Sequence, residues 1–565
     1  MDYISHKLSH QPEDIHEPIL VDADSPTRSL TWQEYASAVK RIAVGLKTAG
    51  LRHLDCVCLL SRNDIYYWIL GDGVAAAGGI ICPIASFAKV DEIVRQLQTV
   101  DAKWIFVEPD LLETTTTAAS KAGIPPSHIF LFDAQIPAPA DFNQDLTLSH
   151  LLTSDLAAWH PPSQDSTSSL QEPCVLLFSS GTTGHAKAVS LSQSALIARF
   201  NLHFKHGQHF PPGERTLHYI AQQHASSQSV HNYATTGAAQ LYITRKQDAS
   251  SIIHLIQTYE ITRIMVHPQM LEEMPVVLRH GGGDREMLKS LRSVASGGGI
   301  ARPQASKEFQ DLLQDPDAHV SSAWGATEIG FFPSSSKSQP AMEGYVGIVP
   351  PPSVGEIIII DPETHFPLPP PSTGEIAVRG PTLFSHYTSS PSTTSSAFIT
   401  NSLGTYFRTG DAGHLSPTSP PHLAVTGRYK AVFRVGTEDV MPEEVESVIK
   451  QLPGVKDVVV TSTPGRRSGG LEAMAYVVEQ ERGVLRAEEV VSWVAERLAG
   501  HKAPTGGVVF VERIPRNGVG KCVRGELEGA VGLEGSRGFM TVREEGGVVS
   551  VEEEKRVEER LSRTN

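Results

Sequence analysis

The chain has 565 residues, 40 % of them apolar and 20 % charged, so it is long enough for several domains and can bury its cores without staples. With 48 Lys+Arg against 63 Asp+Glu its net charge is −15, which weighs against a binder of nucleic acid or anionic membrane, since phosphate binding needs a cationic face. Five cysteines without a CxxC spacing suggest neither a zinc site nor a disulfide framework.

The first 20 residues are polar and acidic, with no apolar core for a secretory signal. Residues 30–49 read as a helix opened by the capping box Thr31–Glu34 and stopped at Gly50. Then follow a strand over 56–60, a helix over 64–77, a strand over 80–84, a helix over 90–99 and a strand over 104–107. The stretch 65–88 is apolar enough to raise the question of a membrane span. Asp72, four glycines and Pro83 favour a buried helix followed by a short strand. Strands alternating with helices predict a parallel sheet with both faces covered.

Residues 111–172, rich in Ser, Thr, Pro and Ala, read as a looser surface region. A strand over 174–178 then leads through a Gly/Ser/Thr loop to a helix from Ser192, with further strands at 264–267, 291–295 and 320–323. From about residue 354 strands come without helices, at 357–360 and 375–378, which predicts a barrel-like unit. Residues 382–402 read as an exposed insertion. A last α+β unit of about 100 residues, a common domain size, has helices at 442–451 and 486–498 and strands at 458–461, 473–478 and 508–511. The charged tail from Ser536 reads as a solvated helix or disorder. The final residues, SRTN, are not a peroxisomal Ser-Lys-Leu ending, so a cytoplasmic location is expected.

The strongest local signal is FSSGTTGHAK at 178–187. Its glycines let backbone N–H groups converge on an anion, its hydroxyls donate to phosphate oxygens and Lys187 supplies charge. It is not a GxxxxGK[ST] loop, and as bare composition it also serves as a structural turn. The full string resembles the phosphate loop of the adenylate-forming superfamily, which holds acyl-CoA synthetases, aryl-CoA ligases, luciferases and adenylation domains. The pattern is nearest to enzymes similar to acyl-CoA or 4-coumarate-CoA ligases. Further motifs follow in that family's order over about residues 30–530: SGGGI at 296–300, AWGATEIG at 323–330, GEIAVRG at 374–380, YFRTGD at 406–411, GRYK at 427–430 and PRNGVGK at 515–521.

The resemblance implies an α/β fold. A large N-terminal domain (1–426) would hold two α/β layers and a distorted β-barrel unit, and a small mobile α+β C-terminal domain (432–535) would swing on a hinge at 427–431 around Lys430. It implies ATP, Mg²⁺ and CoA, and a carboxylic acid converted to acyl-AMP and then to a thioester. Ser179, Ser180, Gly181, Thr182, Thr183, Gly184 and Lys187 would cradle phosphate. Trp324 and Gly325 would border the nucleotide, and Thr327 would donate to the α-phosphate. Glu328 would hold the metal, Asp411 the ribose with Arg428 nearby, and Lys521 would act in adenylation. Gly297, Gly298, Gly299 and Ala323 would line the acyl pocket. His224 stands where many members carry a pocket histidine or aromatic, although by its surroundings it serves equally as a core or surface histidine.

The chain departs from the family pattern at Ala186, Ala188, Ala431 and Thr437. Residues 216–247 contain no Asp or Glu to pair with an ammonium, which disfavours an amino acid as substrate. The alternatives are a ligase that loads a separate carrier protein and a non-catalytic nucleotide-binding relative.

Overall fold

The structure, a computed structural model, describes residues 1–161, 169–179, 187–201, 213–236, 239–280, 284–298, 301, 303–332, 345–349, 355–388, 390–429, 433–435, 438–464, 471–498, 500–516, 522, 527, 537–542 and 548–550. The chain forms two compact units. One comprises Met1–Pro367, Ala377–Thr409 and Leu415–Ala424. The other comprises Leu368–Ile376, Gly410–His414 and Val425–Asn565.

Two mostly parallel sheets carry the first unit. In one, the strands run in the order His386–Tyr387, Lys187–Ser192, Pro173–Ser179, Ile80–Ile84, Cys56–Leu60, Ala102–Val107 and Ile129–Leu131. In the other the order is Gly330–Phe332, His319–Ala326, Ser293–Gly297, Arg263–Val266, Arg215–His218, Gln240–Ile243, Pro18–Asp22 and Ser29–Thr31. The central strands are apolar because helices cover them. Cys58, Ile105, Ile264 and Val294 are fully buried. Each buried aliphatic side chain contributes about 1.5–3 kcal/mol, against about 0–1 for an exposed ion pair, so these cores rather than surface charges hold the layers.

Helix Trp32–Ala49 has its Thr31–Glu34 capping box, and Gly50 closes it at φ 101°, a left-handed turn that glycine makes without strain. Helix Tyr67–Ala76 and strand Ile80–Ile84 occupy the apolar stretch, and no helix of the described residues is long and apolar enough to cross a membrane. The short helix Tyr3–Leu8 is buried by a charged network. Lys7 Nζ lies 2.7 Å from Asp72 Oδ2, which also accepts from Tyr35 Oη at 2.9 Å and lies 3.1 Å from His231 Nε2. Burial pushes the Asp72 carboxyl up, but Lys7 and then His231 overcome it and hold it at about 2.

The strands without intervening helices make a six-stranded sheet in the order Gly347–Ile348, His422–Arg428, Gly404–Leu415, Gly374–Arg379 and Glu356–Ile360, with Phe398–Asn401 on Gly404–Leu415. In the second unit a five-stranded sheet runs Val455–Pro464, Leu471–Glu479, Gly507–Phe510, Arg537–Val542 and Val548–Ser550. Helices Pro442–Ile449 and Ala487–Ala495 set Val445, Ile449, Val490 and Val494 onto it.

Four expectations are corrected. Residues 111–172 contain helix Leu112–Ala122, which buries Thr115, Ala118 and Ala119 along one stripe, and strand Ile129–Leu131 in the sheet. Residues 382–402 are not a mere exposed insertion: Thr382, Phe384 and Tyr387 are buried, and His386–Tyr387 pairs with Lys187–Ser192. Strand Lys187–Ser192 comes before the helix expected from Ser192, which is Gln193–Asn201. The tail beyond Ser536 is not all helix or disorder. Arg537–Val542 pairs with Gly507–Phe510, whose free edge needs backbone partners, and Val548–Ser550 pairs with it in turn.

Candidate active site

The glycine-rich loop leaves one strand and returns on its neighbour. Ser179 ends strand Pro173–Ser179 and stands opposite Lys187, the first residue of the antiparallel return strand. Ser180, Gly181, Thr182, Thr183, Gly184 and Ala186 lie outside the described residues. Ala188 is extended in that strand, so the missing glycine costs no backbone strain there. Lys187 Nζ lies 5.1 Å from the ring centre of Tyr387, close enough for attraction to the aromatic face.

Thr327 and Glu328 sit in the turn between strands His319–Ala326 and Gly330–Phe332. Tyr387 Oη donates to Glu328 Oε1 at 2.9 Å, and Phe384 N donates to the Glu328 carbonyl at 2.8 Å. Arg199, buried on helix Gln193–Asn201, donates from Nη2 to the Thr327 carbonyl at 3.0 Å and from Nε to the Thr382 carbonyl at 2.9 Å. Gly330 has φ +83°, and a Cβ there would come within 3.2 Å of Arg199 Nε. The turn is thus fastened to the 382–387 segment by one guanidinium and one phenol.

Burial lowers the Arg199 guanidinium to about 10 against the opposing pull of Glu328. The Tyr387 phenol is raised far above its ordinary value, first by burial and then by the Glu328 charge, so it stays a donor. Glu328 itself is buried. Neither Arg199 nor Tyr387 was singled out from the sequence. Neither lies in a motif, and only pairings across 128 and 59 residues reveal them.

In the second unit Asp411, on strand Gly404–Leu415, lies 3.0 Å from Arg428 Nε, on strand His422–Arg428. The carboxylate is buried and the guanidinium half-exposed. Glu375 Oε1 accepts from Gly410 N at 3.1 Å, which fixes the backbone beside Asp411. Lys430 and Lys521 lie outside the described residues.

Of the pocket candidates, Gly297 and Ala323 are register partners on adjacent strands. A Cβ on Gly297 would lie 2.8 Å from Met265 Cε, so the glycine keeps that face flat. Gly298, at φ +83°, is exposed, and Gly299 lies outside the described residues. His224 is the half-buried N-cap of helix Ala225–Thr235. Trp324 is buried and Gly325 half-buried on the strand that leads to Thr327.

The family description "AMP-binding enzyme" matches residues 9–388, and "AMP-binding enzyme C-terminal domain" matches residues 444–521. The chain is 31 % identical to phenylacetyl-CoA ligase epaB of Aspergillus niger, over 93 % of this chain and 96 % of that protein. It is 32 % identical to acyl-CoA ligase azaF of Aspergillus niger, over 93 % and 97 %. The crystal structure of ATP-bound MatB from Rhodopseudomonas palustris superposes with a TM-score of 0.79, at 23 % identity over 94 % of this chain and 99 % of that one.

Proposed function

The chain belongs to the AMP-binding enzyme family, and from that premise we propose how its residues divide the work of an AMP-forming acid–thiol ligase that takes a carboxylic acid, ATP and CoA. In the first half-reaction a carboxylate oxygen attacks the α-phosphorus of ATP and pyrophosphate leaves. In the second the CoA thiol attacks the acyl carbon, and AMP leaves.

The first step crowds negative charge on the α-phosphate, and preorganised donors facing that charge supply the largest catalytic effect. Thr327 would donate its hydroxyl there, and Ser179 with the loop to Lys187 would hold the phosphates. Asp411, oriented by Arg428, would accept from the ribose hydroxyls. Glu328 would hold Mg²⁺, an ion that keeps most of its waters and takes one or two carboxylates plus phosphate oxygens. The donor set fits: Glu328 is a buried carboxylate, a hard oxygen ligand, and Tyr387 fixes its orientation through one oxygen. Bound there, the ion would neutralise phosphate charge.

The observation that carries this reading is the fastening of the Thr327–Glu328 turn by Arg199 and Tyr387, which presents a buried carboxylate in one fixed orientation. Small residues at Gly297 and Ala323 suit an aryl or alkyl acid, as does the likeness to a phenylacetyl-CoA ligase. The test is pyrophosphate release across a panel of aromatic, medium-chain and long-chain acids, followed by CoA-dependent AMP release. Adenylation without any CoA-dependent step would point to a separate carrier protein instead.

Tyr387→Phe gives a finer test. It removes one hydrogen bond to a charged group, worth about 1.5–3 kcal/mol. Adenylation is expected to fall about tenfold or more and to need more Mg²⁺ for half-saturation. An unchanged Mg²⁺ dependence would separate Tyr387 from the metal-holding carboxylate.

A further inference from the structure

His218 ends strand Arg215–His218 and is 3 % exposed. Its ring is hydrogen-bonded to the Ile220 backbone, yet its Nε2 has no partner. A buried polar atom left unpaired is costly, so its persistence calls for a ligand or a reason.

The register shows which way the strand face looks. Leu217, Tyr219, Ile264, Val266 and Val294 pack into one core on one side of the sheet. Side chains alternate, so His218 stands on the opposite side. Leu217 pairs with Ile264, which sets His218 level with Met265. Met265 touches the site of Gly297, whose register partner is Ala323. His218 therefore shares its face with two of the acyl-pocket candidates. Another candidate, His224, is close enough to help expel a proton from the His218 ring, as is His231 two helical turns further along. His231 is committed to Asp72, 3.1 Å away.

The protonation state follows from these surroundings. Burial first, then His224 and His231, lower the His218 ring to about 3, so it is neutral at neutral pH. The bond to Ile220 opposes that shift by favouring the protonated ring, which means the ring donates it. A neutral imidazole that donates at Nδ1 has an acceptor lone pair at Nε2.

We propose that His218 is a specificity-determining residue of the acyl pocket, whose Nε2 accepts a hydrogen bond from a donor substituent, a hydroxyl above all, on the carboxylic acid. The inference rests on the ligase reading and narrows its substrate class. A site built around a buried polar atom rejects an analogue that leaves the atom unpaired far more strongly than an apolar pocket rejects a missing methylene.

The test uses acids in matched sets: unsubstituted, hydroxylated at successive positions, and the methyl ether of each hydroxyl. Pyrophosphate release gives kcat and KM for wild type, His218→Phe and His218→Gln. Wild type is expected to favour one hydroxylated acid over its unsubstituted and methylated analogues by about tenfold or more in kcat/KM. His218→Phe is expected to erase that preference, and the loss is expected in the KM of the hydroxylated acid rather than in the KM of ATP. His218→Gln, which retains an acceptor, is expected to restore part of it. Equal treatment of hydroxylated and unsubstituted acids by wild type overturns the proposal even if neither variant folds. So does a preference that survives in His218→Phe. No pyrophosphate release with any acid is a different failure, that of the ligase reading itself, and the proposal falls with it.

Discussion

Glu328→Gln is expected to cut acyl-adenylate formation by about 10²–10³-fold while the fold survives, which is the usual effect of removing one positioned charge-stabilising group. Tyr387 can still donate to the amide oxygen, now a neutral acceptor, and Arg199 keeps both of its carbonyl acceptors, which do not use the lost charge. The turn should stay in place and the carboxylate charge should vanish. Thermal unfolding then separates the two effects, since about 1 kcal/mol shifts the midpoint of a domain of 150–250 residues by only about 2–4 °C. The decisive measurement is single-turnover pyrophosphate release at saturating Mg²⁺ and ATP. A rate near wild type there would remove Glu328 from the role given to it.

Lys521→Ala is expected to lower acyl-AMP formation by a similar factor, about 10²–10³, and to spare the thioester step. Lys521 lies outside the described residues, but the base of its loop does not. Arg516 and Cys522 form an antiparallel bridge, and Arg516 is ion-paired with Asp457. An ammonium that bridges the acid's carboxylate and the α-phosphate would orient the nucleophile and stabilise the charge it creates. The thiol step needs neither service, because AMP leaves as an already stabilised phosphate. Chemically supplied acyl-AMP should therefore still become thioester at close to the wild-type rate. Equal losses in both half-reactions would make Lys521 structural or shared.

The parallel sheets were legible because their strands are unbroken apolar runs ended by glycine or charge, as at Cys56–Leu60 and Ile80–Ile84. Helix Trp32–Ala49 was legible from its own cap. Leu112–Ala122 was not, because four consecutive threonines hide a stripe of only three small buried residues. His386–Tyr387 escaped for another reason: two residues have no periodicity, and their pairing to Ser190 and Val189 is written nearly 200 positions away. The same division runs through the site. Thr327, Glu328, Asp411 and Arg428 stood out through motif resemblance, and Asp411 does meet Arg428. Arg199, Tyr387 and His218 carry no motif. Their significance lies in whom they touch, or fail to touch, and a linear pattern holds none of that.

The buried contacts of helix Tyr3–Leu8 also bear on how the chain is made. Tyr3 bonds to Gln193 and Asn232, His6 lies beside Asn201, and the carboxylate that receives Lys7 is itself braced by His231. At about 5–20 residues per second, a ribosome needs roughly 10–45 s after adding Lys7 to deliver the last of these partners. Helix Tyr3–Leu8 thus cannot lock before the residues up to Asn232 have been made. Until then a lysine, a tyrosine and an isoleucine destined for the interior stay in water or in the keeping of a chaperone. A segment made early therefore waits for partners more than 200 positions further along the chain.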